Sequence, residues 1–308
     1  MKISVSFSSV LLLIFAFPLF SEKFNGTLPN SAPRGGGPPT IKTIYPTFTT
    51  IEVPGAGLTE VNSINSAGDI VGIYGSSSYD PHQRGFLIRD GNLIRVDYPH
   101  AYTTLPFGIN DAGIVIGAAG LQHGTVYVGF TYDGTTFKSL RDGSDSATVS
   151  YSINNADSIV GGAGTIYGTK GFLENDRTFT VIDFPGNNVY EYATNINNLG
   201  EIVGLTDYDA YTYINGQFQN IDVPGASRTG AFGINDRGTI SGYYFEDPSS
   251  YGFALLDGKY LSFSFPGASD TTANGINAAG QVVGSYYTQD TATYHGFVTS
   301  PITPGDFQ

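Results

Sequence analysis

The stretch Ile64-Asn65-Ser66-Ala67-Gly68-Asp69-Ile70-Val71-Gly72 decides the fold, because it recurs. The pattern Ile-Asn-x-x-Gly-x-Ile/Val-x-Gly, or a close variant, returns at Ile109-Asn110, Ile153-Asn154, Ile196-Asn197, Ile234-Asn235 and Ile276-Asn277. Successive asparagines are 45, 44, 43, 38 and 42 residues apart. A period of that size marks an array of supersecondary units, each burying its apolar face only by stacking on its neighbours. Asn-x-x-Gly suits a type I turn: Asn bonds the backbone ahead of it, and Gly accepts the positive φ that matches strand twist. Asp157 replaces the glycine in the third copy and also tolerates that conformation.

Around this turn each unit reads as four short strands. In the fifth copy they are 229–234, 239–244, 251–256 and 260–265, separated by turn signals such as Asp257-Gly258. The residue before each Ile-Asn is small (Ser63, Gly108, Ser152, Asn195, Gly233, Gly275), which suits strands converging on a crowded centre. Gly72, Gly117, Gly161, Gly204, Gly242 and Gly284 recur in the second strand, where a neighbouring sheet is the expected close contact. Phe86, Phe130, Phe172, Phe253 and Phe297, with Tyr213 in the fourth copy, read as inter-sheet core. A spare fourth-strand copy, 48–53, precedes the first Ile-Asn, and the last unit ends one strand short. Joining them removes the open edge of an array. The expectation is an all-β, six-bladed β-propeller of four-stranded blades, closed by pairing the N-terminal strand with the last blade. An open β-solenoid leaves the complementary ends unexplained.

Composition sets outer limits. The chain has 308 residues, with 41 glycines, 21 tyrosines and 21 phenylalanines, which suits many short strands and tight turns. A net charge of −13 argues against nucleic acid or an anionic membrane as partner. The chain lacks cysteine, so disulfides, thiolate nucleophiles and Cys-ligated zinc are excluded. Residues 1–21 read as a signal peptide: Lys2 leads into the apolar run 10–20. As a helix that run spans about 16 Å, short of a hydrocarbon core of about 30 Å. A flexible Pro/Gly-rich linker is expected over 22–46, then the repeat domain over 47–299 and a C-terminal tail over 300–308. These signals predict a secreted monomer, extracellular or periplasmic, with no membrane span after signal removal.

The repeats resemble the HAF family of secreted bacterial, propeller-like extracellular repeats. The resemblance covers 48–299 and rests on Gly-Ile-Asn-x-x-Gly-x-Ile/Val-x-Gly and the hydrophobic strand after the loop. It departs at the family's His-Ala-Phe: here the triplets are Arg84-Gly-Phe86, Val128-Gly-Phe130, Lys170-Gly-Phe172, Tyr251-Gly-Phe253 and His295-Gly-Phe297. The resemblance implies secretion and a propeller, and brings no catalytic residues with it.

With the recurrent residues assigned to turns and packing, function falls to the loops that do not repeat. Two sets of loops, such as 55–60 and 75–83 in the first unit, are expected to share one face. They offer Tyr79, Tyr102, Tyr190, Asp207, Tyr208, Asp209, Glu246, Asp247 and Tyr294 as candidate ligand-binding residues, beside Asp80, His82, His123 and Tyr167. Tyrosine beside an acid or amide suits sugars, the ring stacking on a pyranose face while the polar partner takes hydroxyls. The expected partner is an extracellular glycan or protein. The four histidines share no spacing, and zinc, nucleophile-elbow and EF-hand motifs are missing, so no catalytic residue, metal or cofactor is assigned. Paired acids such as Glu246-Asp247 or Asp207 and Asp209 keep a glycosidase or lyase as the alternative. A purely structural cell-surface module is the third reading.

Overall fold

The structure is a computed structural model that describes residues 41–121, 126–140, 147–165, 168–186, 189–207 and 209–308. The signal segment, most of the linker, His123, Tyr167 and Tyr208 lie outside the described residues.

Each repeat is an antiparallel meander. The first consists of β3 (Leu58–Ile64), β4 (Ile70–Gly75), β5 (Arg84–Arg89) and β6 (Asn92–Val96). The second is β7 (Thr103–Ile109) to β10 (Phe137–Leu140), the third β11 (Ala147–Ile153) to β14 (Thr178–Ile182), and the fourth β15 (Glu191–Ile196) to β18 (Gln217–Ile221). These are four separate four-stranded blades. The fifth repeat, β19 (Arg228–Ile234) to β22 (Lys259–Phe263), and the sixth, β23 (Asp270–Ile276) to β25 (Thr293–Thr299), do not stand apart: with β1 (Ile41–Thr43) and β2 (Phe48–Ile51) they form one nine-stranded sheet. The expectation of six four-stranded blades is thereby corrected to four. The physical link is local. Ser250 pairs with Asp270 in a parallel bridge, and Ser250 donates to Asp270 Oδ1 from both its N–H (3.2 Å) and its hydroxyl (2.9 Å).

Both ends of the chain meet on this sheet. β2 pairs antiparallel with β25 from Phe48↔Thr299 to Ile51↔Gly296, and the Phe48 ring packs on Phe263, Phe265 and Phe297 at 6.3, 5.1 and 5.3 Å. The 22–46 stretch, expected as a flexible linker, contributes β1, which adds in parallel to the outer edge of β22. Lys42 Nζ donates to the carbonyl of Asp306 at 2.8 Å, and Ile302 and Phe307 of the expected tail are buried.

The core repeats like the sequence. Gly72, Gly117, Gly161, Gly204, Gly242 and Gly284 each stand opposite a buried aromatic, namely Phe86, Phe130, Phe172, Tyr211, Phe253 and Phe297. The fourth-copy aromatic is therefore Tyr211, not Tyr213 as the spacing had suggested. A Cβ on Gly72 or Gly161 would lie 2.7 Å from the facing phenylalanine ring. The glycine thus yields to its own sheet's aromatic as well as to backbone, rather than to a neighbouring sheet. The small residues before Ile-Asn do meet between units: a Cβ on Gly233 would lie 3.0 Å from Gly275 Cα. Among the described residues no helix is long and apolar enough to cross a membrane.

Candidate functional site

The Ile-Asn turns converge on one end of the molecule around an open polar depression. Each asparagine first builds its own turn, its Oδ1 accepting the N–H four residues ahead, as at Asp69 (2.8 Å), Ser158 (3.0 Å) and Thr239 (3.1 Å). Its Nδ2 then donates to the next asparagine's carbonyl: Asn65 to Asn110 (3.1 Å), Asn110 to Asn154 (3.2 Å), Asn154 to Asn197 (3.1 Å), Asn197 to Asn235 (3.1 Å) and Asn235 to Asn277 (3.0 Å). Asn277 returns the bond to Asn65 at 3.2 Å, closing a circle. An outer tier repeats the idea, with Ser66, Asp111, Asn155 and Asn198 donating their N–H groups to Asp111, Asn155, Asn198 and Asp236 at 2.8–2.9 Å. The side chains here bind one another, and the sequence carried no sign of this: the periodic pattern shows a turn, whereas the bond runs to the next repeat.

The opposite end carries the non-repeating loops. There a threonine hydroxyl at the start of the inner strand accepts the N–H that precedes each Pro: Val53 to Thr59, Tyr98 to Thr104, Val223 to Thr229 and Phe265 to Thr271, at 3.0–3.1 Å. In the fourth unit Glu191 takes this place. It is fully buried, accepts from Phe184 N–H at 3.2 Å and from Lys170 Nζ at 2.9 Å, and its carboxyl is pushed upward by burial against the pull of Lys170.

A second recurrence lies beside it. In three of the five Gly-Phe triplets the preceding residue faces an acid on the adjoining outer strand: Arg84 with Asp97 (3.9 Å), Lys170 with Asp183 (2.7 Å) and His295 with Glu52 (2.5 Å). In the fourth unit that cation is replaced by Asp209, which with Asp222 flanks the Ala210–Ile221 pair. Burial first, and Asp222 second, raise the Asp209 carboxyl above its ordinary range. A raised folded-state value means that the folded chain holds this proton more tightly than the unfolded chain does, so the stability it contributes is present at low pH and lost as pH rises through that value. Asp209→Asn is therefore expected to raise stability at pH 7 by about 0.5 kcal/mol, the gain shrinking as pH falls into the carboxylate range. Urea titrations of both proteins across pH measure this; a gain that is constant with pH would refute the assignment.

The loops 75–83 and 100–104 of the first two units form one braced surface. Asp80 Oδ2 accepts from Ser76 N–H (2.8 Å) and hydroxyl (2.9 Å), while Oδ1 accepts from His82 N–H (2.8 Å). The Ser76 N–H, more than any other contact, holds this carboxyl below its ordinary range, against partial burial. The His82 ring lies 4.2 Å from the Tyr102 ring, and the Gln83 carbonyl accepts from Thr103 Oγ1 at 2.8 Å. Tyr79, three residues before His82, is 87% exposed.

The other candidates do not join them. Asp207 Oδ2 is spent on the N–H groups of Val189 (2.9 Å) and half-buried Tyr190 (3.3 Å). Glu246 and Asp247 are exposed at the turn between β20 (Ile240–Glu246) and β21 (Ser249–Leu256). Tyr294 is buried in the core with Leu58 and Leu105, its ring 5.1 Å from Tyr287. Among the described residues, no group of three or more His, Asp or Glu comes together to hold a metal ion. The brace from Asp80 is the part that the tyrosine and acid pattern missed; its signal was Ser76-x-x-x-Asp80-x-His82 in the longest loop of the unit.

No family model matches the chain, and no curated protein does. Solved structures do. TolB from Acinetobacter baumannii superposes with a TM-score of 0.50 at 12% identity over 71% of this chain, which spans 60% of TolB's length. The β-propeller domain of the Trilobed protease from Pyrococcus furiosus, described as having an open velcro topology, gives 0.49 at 11% identity over 80% of this chain and 94% of its own. At such identity the likeness speaks to fold alone; the four-stranded meanders, set around the closed circle of asparagines, are themselves those of a β-propeller.

Proposed function

We propose that this protein is a secreted binding module of the HAF repeat type, extracellular or periplasmic, that holds a glycan or another surface macromolecule on its loop face. The observation that carries this reading is the braced aromatic surface of Tyr79, His82 and Tyr102 at the junction of the first two repeats. Rings in contact on loops already fixed by hydrogen bonds present apolar area at little entropic cost, and the C–H face of a pyranose complements that area. Net charge −13 keeps the partner away from polyanions. A glycan array of the secreted chain, followed by calorimetry on any hit, tests the idea. Tyr102→Ala is expected to weaken binding about tenfold, or about 1.4 kcal/mol, with unchanged melting. Unaltered affinity would move the site elsewhere, and release of new reducing ends or unsaturated products would replace a binding module with an enzyme.

A further inference from the structure

The chain contains its own example of an outer strand receiving another strand. β22 ends its meander and is covered by β1, in the parallel register Ile41↔Tyr260, Lys42↔Leu261 and Thr43↔Ser262. Under that cover Tyr260 and Leu261 are only 7% and 1% exposed. In the first repeat, alignment on Gly85↔Val96 and Gly252↔Phe263 puts Leu93 and Ile94 of β6 in the places of Tyr260 and Leu261. Here they are 44% and 38% exposed, and among the described residues the outer edge of β6 pairs with no strand. The other outer strands carry Lys138, Thr180 and Gln219 where β6 carries Ile94, the polar choice that protects an edge from pairing. β6 alone is built like the covered strand and left open.

We propose that the outer edge of β6 receives an extended, aliphatic and acidic segment of a partner protein as an added parallel strand. Main-chain hydrogen bonds would supply the affinity, and Leu93 and Ile94 the apolar contact. Arg95 supplies the charge preference. It stands where Ser262 faces Thr43, and its guanidinium, bonded to Tyr74 Oη at 2.8 Å, lies at the surface, so a carboxylate opposite it is favoured. A second copy of this chain is disfavoured, because its own β6 edge brings another Arg95 in place of the carboxylate that this position favours.

The test uses a labelled peptide, Thr-Ile-Lys-Glu-Ile-Tyr-Pro, which is the chain's own 40–46 sequence with Thr43→Glu. Fluorescence anisotropy with the secreted protein is expected to show saturable binding, weakened about tenfold or more by Ile94→Lys and by Arg95→Glu. Both changes lie on an exposed edge, and retention of the wild-type melting curve verifies folding. Absence of saturable binding overturns the proposal. So does binding indifferent to both substitutions, since the peptide would then be replacing β1 on β22. An Ile94-dependent dimer in sedimentation assigns the edge to a second copy and also overturns it.

Discussion

Removal of residues 41–51 is expected to leave a chain that no longer melts cooperatively as a monomer. Two strands go with that segment. β2 supplies the outer pairing of β25 from Phe48 to Ile51, together with a Phe48 ring wedged among Phe263, Phe265 and Phe297. β1 supplies the cover on β22 and the Lys42 bond to the C-terminal turn. Truncating a packed phenylalanine costs about 3 kcal/mol, and each lost ladder bond about 1 kcal/mol. Together these losses reach about 10 kcal/mol, comparable to the whole stability of an ordinary domain. The deletion also opens the edges of β22 and β25 to other chains, so aggregation on heating is part of the expectation. Circular dichroism melts and gel filtration read both effects. Phe48→Ala provides the graded case, expected to lose about 3 kcal/mol while still folding. A truncated chain that melts like the parent would mean that the sheet does not depend on its N-terminal strands.

The second large effect is expected at the asparagine circle. Asn154→Ala removes the bond to the Asn197 carbonyl (3.1 Å) and the acceptor for the Ala156 and Ser158 N–H groups (both 3.0 Å), at a residue that is buried. The Ser158 N–H, left unpaired in the interior, makes this dearer than one ordinary hydrogen bond, and a loss of about 3 kcal/mol is expected. Its exposed neighbour is the control. Asn155→Ala removes bonds to Asp111 at the surface and is expected to lose less than about 1 kcal/mol. Denaturant titration of both variants decides the matter. Equal losses would show that the circle contributes nothing beyond its separate turns.

The sequence was most legible where a residue acts within its own repeat. Asn65 and Gly68 announce a turn, and Gly68 indeed adopts φ +88° with its N–H bonded to the Asn65 carbonyl. Legibility failed where the partner lies one repeat away. Nothing in the Ile-Asn pattern says that Asn65 reaches Asn110, and nothing in Ser250 or Asp270 announces that two repeats share a sheet. The miscount of blades has that origin: a period counts units, while hydrogen bonds between units decide how many sheets they form. Cross-strand charge was readable but overlooked. Arg84–Asp97, Lys170–Asp183 and Asp209–Asp222 share one spacing, and the odd pair is visible once the three are aligned. The candidate surface was half legible. Loop position pointed to Tyr79 and Tyr102, which lie on the two loops that the His82–Tyr102 contact joins, but the same rule selected Tyr294, which the core absorbs.

The bond from Asn277 back to Asn65 spans 212 residues of sequence, and through it every unit has a neighbour on each side. Repeat arrays with free ends tolerate a gained or lost copy, because end units with polar faces cap whatever number is present. This circle has no end units. Duplication or loss of one copy changes the angle at which all the others meet, so copy number is inherited as a property of the whole molecule. Divergence by single substitutions within loops, with the count of units held constant, is the course left open to such a gene.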